Sequence, residues 1–153
     1  MDIFVFDVDD TIIMHTKENN DYYNTNNNST LKELLSEFKN LKSYIYTNGI
    51  FNHGSSVVNG LGLDVEIIFA RDVIPYMKPD ERSFDYVNTM IKNENKEIKN
   101  IFFFDDLKEN LYVAKRIGWN TIWINPNLSE KEDYIDFSFP NIYESILYLK
   151  RKN

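Results

Sequence analysis

Asp7 and Asp9 stand two residues apart directly after the apolar run Ile3-Phe4-Val5-Phe6, with Val8 between them and Thr11 just beyond. An apolar run of this kind reads as a buried β-strand, and side chains two apart on a strand point to the same side. The spacing predicts both carboxylates facing one small volume at the carboxyl end of the first strand, the edge where open α/β sheets bind ligands. Two anions held that close either share a proton or need a cation. A hard cation that takes carboxylate and phosphate oxygens together is most simply Mg²⁺, so the run is read as a magnesium-dependent phosphoryl-transfer site.

Three more clusters follow in order. Ser43-Tyr44-Ile45-Tyr46 reads as a second strand and ends in Thr47-Asn48-Gly49. Lys78-Pro79 comes about thirty residues later, and Ile101-Phe102-Phe103-Phe104 is a third apolar strand that ends in Asp105-Asp106, with Asn110 beyond. A threonine hydroxyl beside the free N–H groups of a turn can hold a phosphoryl group, and a lysine stabilises charge that develops during transfer. Taken singly, each has a plainer meaning. Threonine at a strand end is usually a β-former, Asn48-Gly49 reads equally well as a turn, and a lone lysine before proline is usually solvated. Only their order lifts them above that.

Asp-x-Asp-x-Thr, then Thr-Asn, then Lys-Pro, then Asp-Asp-x-x-x-Asn resembles the four-motif order of the haloacid dehalogenase-like hydrolases over nearly the whole chain. Tyr46-Thr47-Asn48-Gly49, with His53 and Gly60-Leu61-Gly62-Leu63, is most similar to the pyrimidine 5′-nucleotidase-like phosphatase branch. The resemblance implies that Asp7 is a nucleophile that forms an aspartyl-phosphate. It implies that Asp9 protonates the leaving group and then activates water. Thr47 and Lys78 would bind the phosphoryl group, and Asn48 would contact substrate or orient Asp7. Mg²⁺ would be ligated by Asp7, Asp106 and the backbone carbonyl of Asp9, with Asp105 acting through water or orienting the site. Asn110 would hold the metal loop and Thr11 would brace the loop after the first strand. His53 could meet a substrate, but a polar residue near a helix start is the commoner case.

The elements that must position these residues alternate between strand and helix, which predicts a three-layer, Rossmann-like α/β domain with a parallel sheet. Leu31, Leu34, Leu35, Phe38 and Leu41 follow helical spacing, with a capping-box pattern at Thr30 and Glu33. Phe84, Val87 and Ile91 mark a helix after Lys78-Pro79; Leu107, Leu111, Ala114 and Ile117 mark another, closed by Gly118. Thr121-Ile122-Trp123-Ile124 is a strand, and the last helix starts near Asn141 with Glu144 three residues on. Residues 12–29 form a flap segment rich in Asn, with Tyr22 and Tyr23 in its middle. These tyrosines are expected to pack the loop onto its own domain; stacking on a base is the alternative. The nucleotidase-like branch inserts a large helical cap here, but this stretch is too short for one, as is the stretch between Gly49 and Met77. The expectation is a single capless domain over residues 1–153.

Composition bounds the partners. The chain has 153 residues, 42% hydrophobic and 27% charged, which suits one globular domain. It has no cysteine, so thiolate metal sites and disulfides are ruled out. No apolar run approaches the roughly 18 residues of a membrane helix, and Asp2 stands where a secretory leader would be basic; the expectation is a cytoplasmic protein without membrane contact. A net charge of -7 argues against nucleic acid as a partner. The expected substrate is a nucleotide or other small phosphorylated metabolite, with phosphoproteins or nucleic-acid ends as the alternative through an open site. A homodimer in which a second copy covers that site is the expected self-association. A phospho-accepting receiver domain uses similar residues, but its acceptor aspartate follows a middle strand and its lysine comes last, contrary to the order here. A catalytically dead relative serving as a binding module is disfavoured by the intact motif residues.

Overall fold

Side-chain alternation along the first strand decides the architecture. In β1 (Asp2–Phe6), Ile3 and Val5 enter one apolar core and Phe4 and Phe6 another, and all four are buried. A strand buried on both faces needs helices above and below it, as in parallel α/β sheets. The computed structural model describes residues 1–15, 28–127 and 132–152. It joins β1 to β2 (Leu41–Tyr46), β3 (Ile68–Phe69), β4 (Asn100–Asp105), β5 (Asn120–Ile124) and β6 (Phe137–Phe139). All pairings are parallel, in the order β3-β2-β1-β4-β5-β6. The chain runs outward from β1 to β3, then returns to β4 and runs the other way. This places a topological switch point, and its crevice, between the carboxyl ends of β1 and β4.

Among the described residues, four helices cross over between strands, α1 (Thr30–Ser36), α2 (Phe51–Leu61), α3 (Glu81–Glu94) and α4 (Lys108–Arg116), and α5 (Ile142–Lys152) follows β6. Leu31 of α1, Val57, Val58 and Leu61 of α2, and Ile142, Ile146 and Leu149 of α5 pack with Phe4 and Phe6. Phe84, Val87 and Ile91 of α3 and Leu111 and Ala114 of α4 pack with Ile3 and Val5. The expected three-layer parallel architecture is therefore present. None of these helices is long and apolar enough to cross a membrane.

Local chemistry agrees with the sequence at some boundaries and corrects it at others. Gly118, at φ 92°, closes α4 as expected, and its N–H donates to the Lys115 carbonyl at 3.0 Å. Asn141 accepts from the Glu144 N–H at 3.0 Å while its own amide donates to the Glu144 carboxylate at 3.2 Å, a reciprocal cap for α5. The N-cap residue of α1 is Ser29, not Thr30; no side chain caps the helix, and the Ser29 hydroxyl instead donates to the Glu33 carboxylate at 3.2 Å. The helix stops at Ser36 and Leu41 opens β2, although Phe38 and Leu41 still face the core, which is why their spacing mimicked a longer helix. β3 and β6 escaped notice because two- and three-residue strands carry no periodicity. The middle of the flap segment, residues 16–27 with Tyr22 and Tyr23, lies outside the described residues.

Phe4 is 1% exposed and its ring meets those of Phe6, Phe38, Phe102 and Phe104 at centroid distances of 5.2–5.9 Å. Phe4→Ala should destabilise the protein by about 3–5 kcal/mol. The check is urea denaturation, with a lower midpoint at unchanged slope.

Candidate active site

The polar residues that end β1, β2 and β4 meet at the carboxyl edge of the sheet, around one ammonium group. Asp7 extends β1 by one step, its N–H donating to the Phe104 carbonyl at 3.0 Å, which brings it beside the end of β4. Lys78 Nζ donates to Asp7 Oδ1 at 3.1 Å, to Asp105 Oδ2 at 2.8 Å and to the carbonyl of Tyr46, at the end of β2, at 2.8 Å. The side chains of Lys78 and Asp105 are 1% and 0% exposed. Asp105 is held further by Asn110 Nδ2 at 3.1 Å and by the Leu107 N–H at 2.9 Å. Thr11 donates to Asp7 Oδ2 at 3.0 Å, so it braces the aspartate itself as well as the loop. Asp7, Asp105 and Asp106 each offer an oxygen within 4.8 Å of the others.

Lys78 reaches this site because its backbone is pinned. Asn48 accepts from the Lys78 N–H and donates to the Lys78 carbonyl, both at 2.9 Å. Asn48 is thus a holder of the lysine loop, which neither a turn nor a substrate contact had suggested. Thr47 is buried, and its hydroxyl oxygen accepts from the Gly49 N–H at 3.0 Å. A side chain at Gly49 would fall 3.3 Å from both Thr47 Oγ1 and His53 Cδ2, so the glycine keeps this turn close to its neighbours.

Asp9 stands apart from the buried carboxylates. β1 ends at Phe6, so the strand pleat does not carry Asp9 onto the same face as Asp7. Instead Asp10 turns the chain at φ 61°, and the N–H groups of Thr11, Ile12 and Ile13 converge on the Val8 carbonyl. Asp9 Oδ1 lies 2.6 Å from His15 Nε2 and 2.8 Å from His53 Nε2. Its Oδ2 lies on the side of the Thr47–Gly49 turn, 3.9 Å from where a Cβ on Gly49 would sit. The carboxylate of Asp9 is not part of the metal-competent cluster, which among the described residues is Asp7, Asp105 and Asp106. Sequence reasoning missed His15 altogether and gave His53 no partner. The only available signal was that these are the two histidines of the chain.

The surroundings push the charged groups apart. Burial disfavours the Lys78 ammonium, but Asp105 and Asp7 outweigh it and raise its proton affinity. Burial, with the charge of Asp7, raises the Asp105 carboxyl against the pull of Lys78. Burial, a hydrogen bond with Asp7 and the charges of Asp105 and Asp7 push the Asp106 carboxyl up to about 9. Burial would also raise Asp9, but hydrogen bonds from His15 and His53 hold it below the usual range. One ammonium among three clustered carboxylates leaves negative charge unbalanced. An all-oxygen anionic donor set of this kind fits a hard divalent cation. A cleft of about 560 Å³ lies at the opposite edge of the sheet, lined by residues such as Asp2, Lys39, Asn40 and Lys99. It holds none of these groups.

No family model and no curated protein matches the chain. Solved structures do. An archaeal beta-phosphoglucomutase from a hyperthermophilic Pyrococcus species has a TM-score of 0.65 at 12% identity, with 100% of each chain covered. A HAD-hydrolase from Bacillus subtilis bound to magnesium has a TM-score of 0.62 at 20% identity, over 77% of this chain and 54% of that one. The L-2-haloacid dehalogenase of Xanthobacter autotrophicus has a TM-score of 0.61 at 18% identity, over 78% and 59%. This protein thus has the haloacid dehalogenase-like hydrolase fold that its motif order resembles. The chain spans just over half the length of the first solved structures it matches, 53% in the case of one dehalogenase.

The Asp106 shift has a measurable consequence for the metal-free protein. Its carboxyl titrates near about 3.9 in an unfolded chain and at about 9 in the folded one. Folding therefore favours the protonated form, and the stability this contributes is present at low pH and lost as pH rises toward the folded value. In chelator, the urea midpoint should fall as pH rises from the weakly acidic to the weakly alkaline range. Asp106→Asn should flatten this slope, and added Mg²⁺ should raise the midpoint most at the alkaline end. A flat wild-type profile in chelator would contradict the site electrostatics.

Proposed function

We propose that this protein is a Mg²⁺-dependent phosphatase that hydrolyses phosphate monoesters through an aspartyl-phosphate on Asp7. The observation that carries the reading is the placement of Asp7 against the buried Lys78 and Asp105 and the half-buried Asp106 at the switch point, with Asp9 beside the Thr47–Gly49 turn. Asp7 attacks phosphorus, forming a carboxyl oxygen–phosphorus bond as the bond to the leaving oxygen breaks. Asp9 gives that oxygen its proton. Asp9 then takes a proton from water as the water oxygen attacks the aspartyl-phosphate, releasing phosphate and restoring Asp7. Lys78 stabilises the charge on Asp7 and on the transferring group, and Thr47 donates to the phosphoryl oxygens. Asp7, Asp106 and the Asp9 backbone carbonyl would hold Mg²⁺, with Asp105 fixed behind them by Lys78, Asn110 and Leu107. The bound ion supplies neutralisation of the carboxylates and of the phosphoryl oxygens. The magnesium in the Bacillus subtilis neighbour and the phosphomutase among the matches support this reading.

Dehalogenases share the fold, but a halide leaves without needing a proton, so the acid step of Asp9 would have no use in that reaction and only its base step would remain. Nucleotides or other small phosphorylated metabolites are the first substrate class. A second reading, a phosphoprotein or nucleic-acid end, is favoured by the exposed apolar side chains of Ile50, Phe51, Met77 and Leu107, each close in sequence to a site residue.

The test is a screen of nucleotides, sugar phosphates, phosphopeptides and phosphorylated DNA ends, with Mg²⁺ and with chelator. Asp7→Asn should abolish turnover, and Asp9→Asn should slow it by about 10²–10⁴-fold. Full activity in chelator, or turnover of haloacids alone, would overturn the reading.

A further inference from the structure

Both histidines of the chain converge on a single oxygen of Asp9, and this arrangement assigns different jobs to the two oxygens of that carboxylate. With a proton on Oδ2 or with none, Asp9 Oδ1 only accepts hydrogen bonds. His15 and His53, at 2.6 and 2.8 Å from Asp9 Oδ1, must therefore each present a protonated Nε2 to it. Asp9 Oδ2 is left on the side of the Thr47–Gly49 turn. We infer that His53 and His15 are positioning residues that anchor Asp9 Oδ1, so that Oδ2 is the atom that exchanges the proton with the leaving oxygen and with water.

Local structure fits that role. His53 sits in the first turn of α2, and its N–H donates to the Ile50 carbonyl at 3.1 Å. The next residue, Gly54, lets that turn pack tightly on the sheet. A Cβ there would come within 3.1 Å of Ile68 Cγ2 and 3.6 Å of Thr47 Cγ2. The imidazole is thus fixed relative to Thr47 by backbone packing. His15 is tied from the other side of the loop, its N–H donating to Asp10 Oδ1 at 3.0 Å. A carboxyl held at one oxygen by two donors has little freedom to rotate, and general acid–base transfer depends on such geometry. When Oδ2 gives up its proton, the charge that appears on Asp9 is shared with Oδ1, where two N–H donors already wait to stabilise it.

This inference rests on the phosphatase reading above, and the experiment separates the two. kcat/KM is measured for an alkyl phosphate, whose leaving oxygen needs a proton, and for para-nitrophenyl phosphate, whose leaving oxygen hardly does. His53→Leu should lose at least about tenfold more on the alkyl ester than on the aryl ester, since the loss acts through proton transfer. His53→Gln, which keeps an N–H at similar reach, should recover most of that difference, and His15→Leu should act in the same direction. Equal losses on both esters, or a glutamine no better than leucine, would overturn the inference. A wild type inactive on every phosphate ester would instead sink the phosphatase reading. A measurement independent of turnover then decides the anchor: imidazole ¹⁵N NMR should show Nε2-protonated rings for both histidines, with both signals shifted by Asp9→Ala. Rings unmoved by that substitution would also overturn it.

Discussion

A lysine ammonium buried at the end of the sheet is the constraint on which the rest of the site depends. Removing a charge from water costs several kcal/mol unless its hydrogen-bonding positions are filled. Lys78 has three ammonium protons and three acceptors, on Asp7, Asp105 and the Tyr46 carbonyl. Those acceptors end β1, β4 and β2. The ammonium therefore fixes the mutual position of three strand ends, and the site could not be loosened without leaving a buried ion unpaired. Its nitrogen also lies 5.0 Å from the Tyr46 ring centre and 5.4 Å from that of Phe103, so aromatic faces line the remaining approach.

The four carboxylates divide into two environments. Asp105 and Asp106 crowd beside Asp7, and burial and like charge raise the proton affinity of Asp105 and Asp106. Asp9 sits at the rim, half exposed, where two imidazoles favour its charged form. Carboxyl groups pushed in opposite directions are how one site performs acid and base steps at the same pH. In the proposed reaction, Asp9 ionised in the free protein would be ready for the base step. A phosphate dianion arriving beside it would raise its proton affinity through like-charge proximity, which suits the acid step that comes first in that reaction.

The metal-competent carboxylates were legible because β1 and β4 are buried on both faces. Such strands read as continuous apolar runs, and Asp7 and Asp105-Asp106 mark where the runs stop. The lysine was legible only through motif order, since nothing local distinguishes it from a solvated side chain. Asn48 looked like a turn residue because its two partners are on Lys78, in another loop. The histidines gave less still, as contacts made by a helix first turn and a loop across the sheet edge have no sequence period. Asp9 was placed beside the site for an incomplete reason. The strand ends before it, at Phe6, and Asp9 lies in the turn that closes on the Val8 carbonyl. At the sheet edges, β3 and β6 were too short to announce themselves.

The paired hydrogen bonds between Asn48 and the backbone of Lys78 make two loops behave as one part. The charge and its holder lie on different crossovers, so a change at either position is screened by what stands at the other. Among descendants of this sequence, the two positions would drift as a pair. A chain that kept the lysine but lost the amide would carry the right residue in the wrong place.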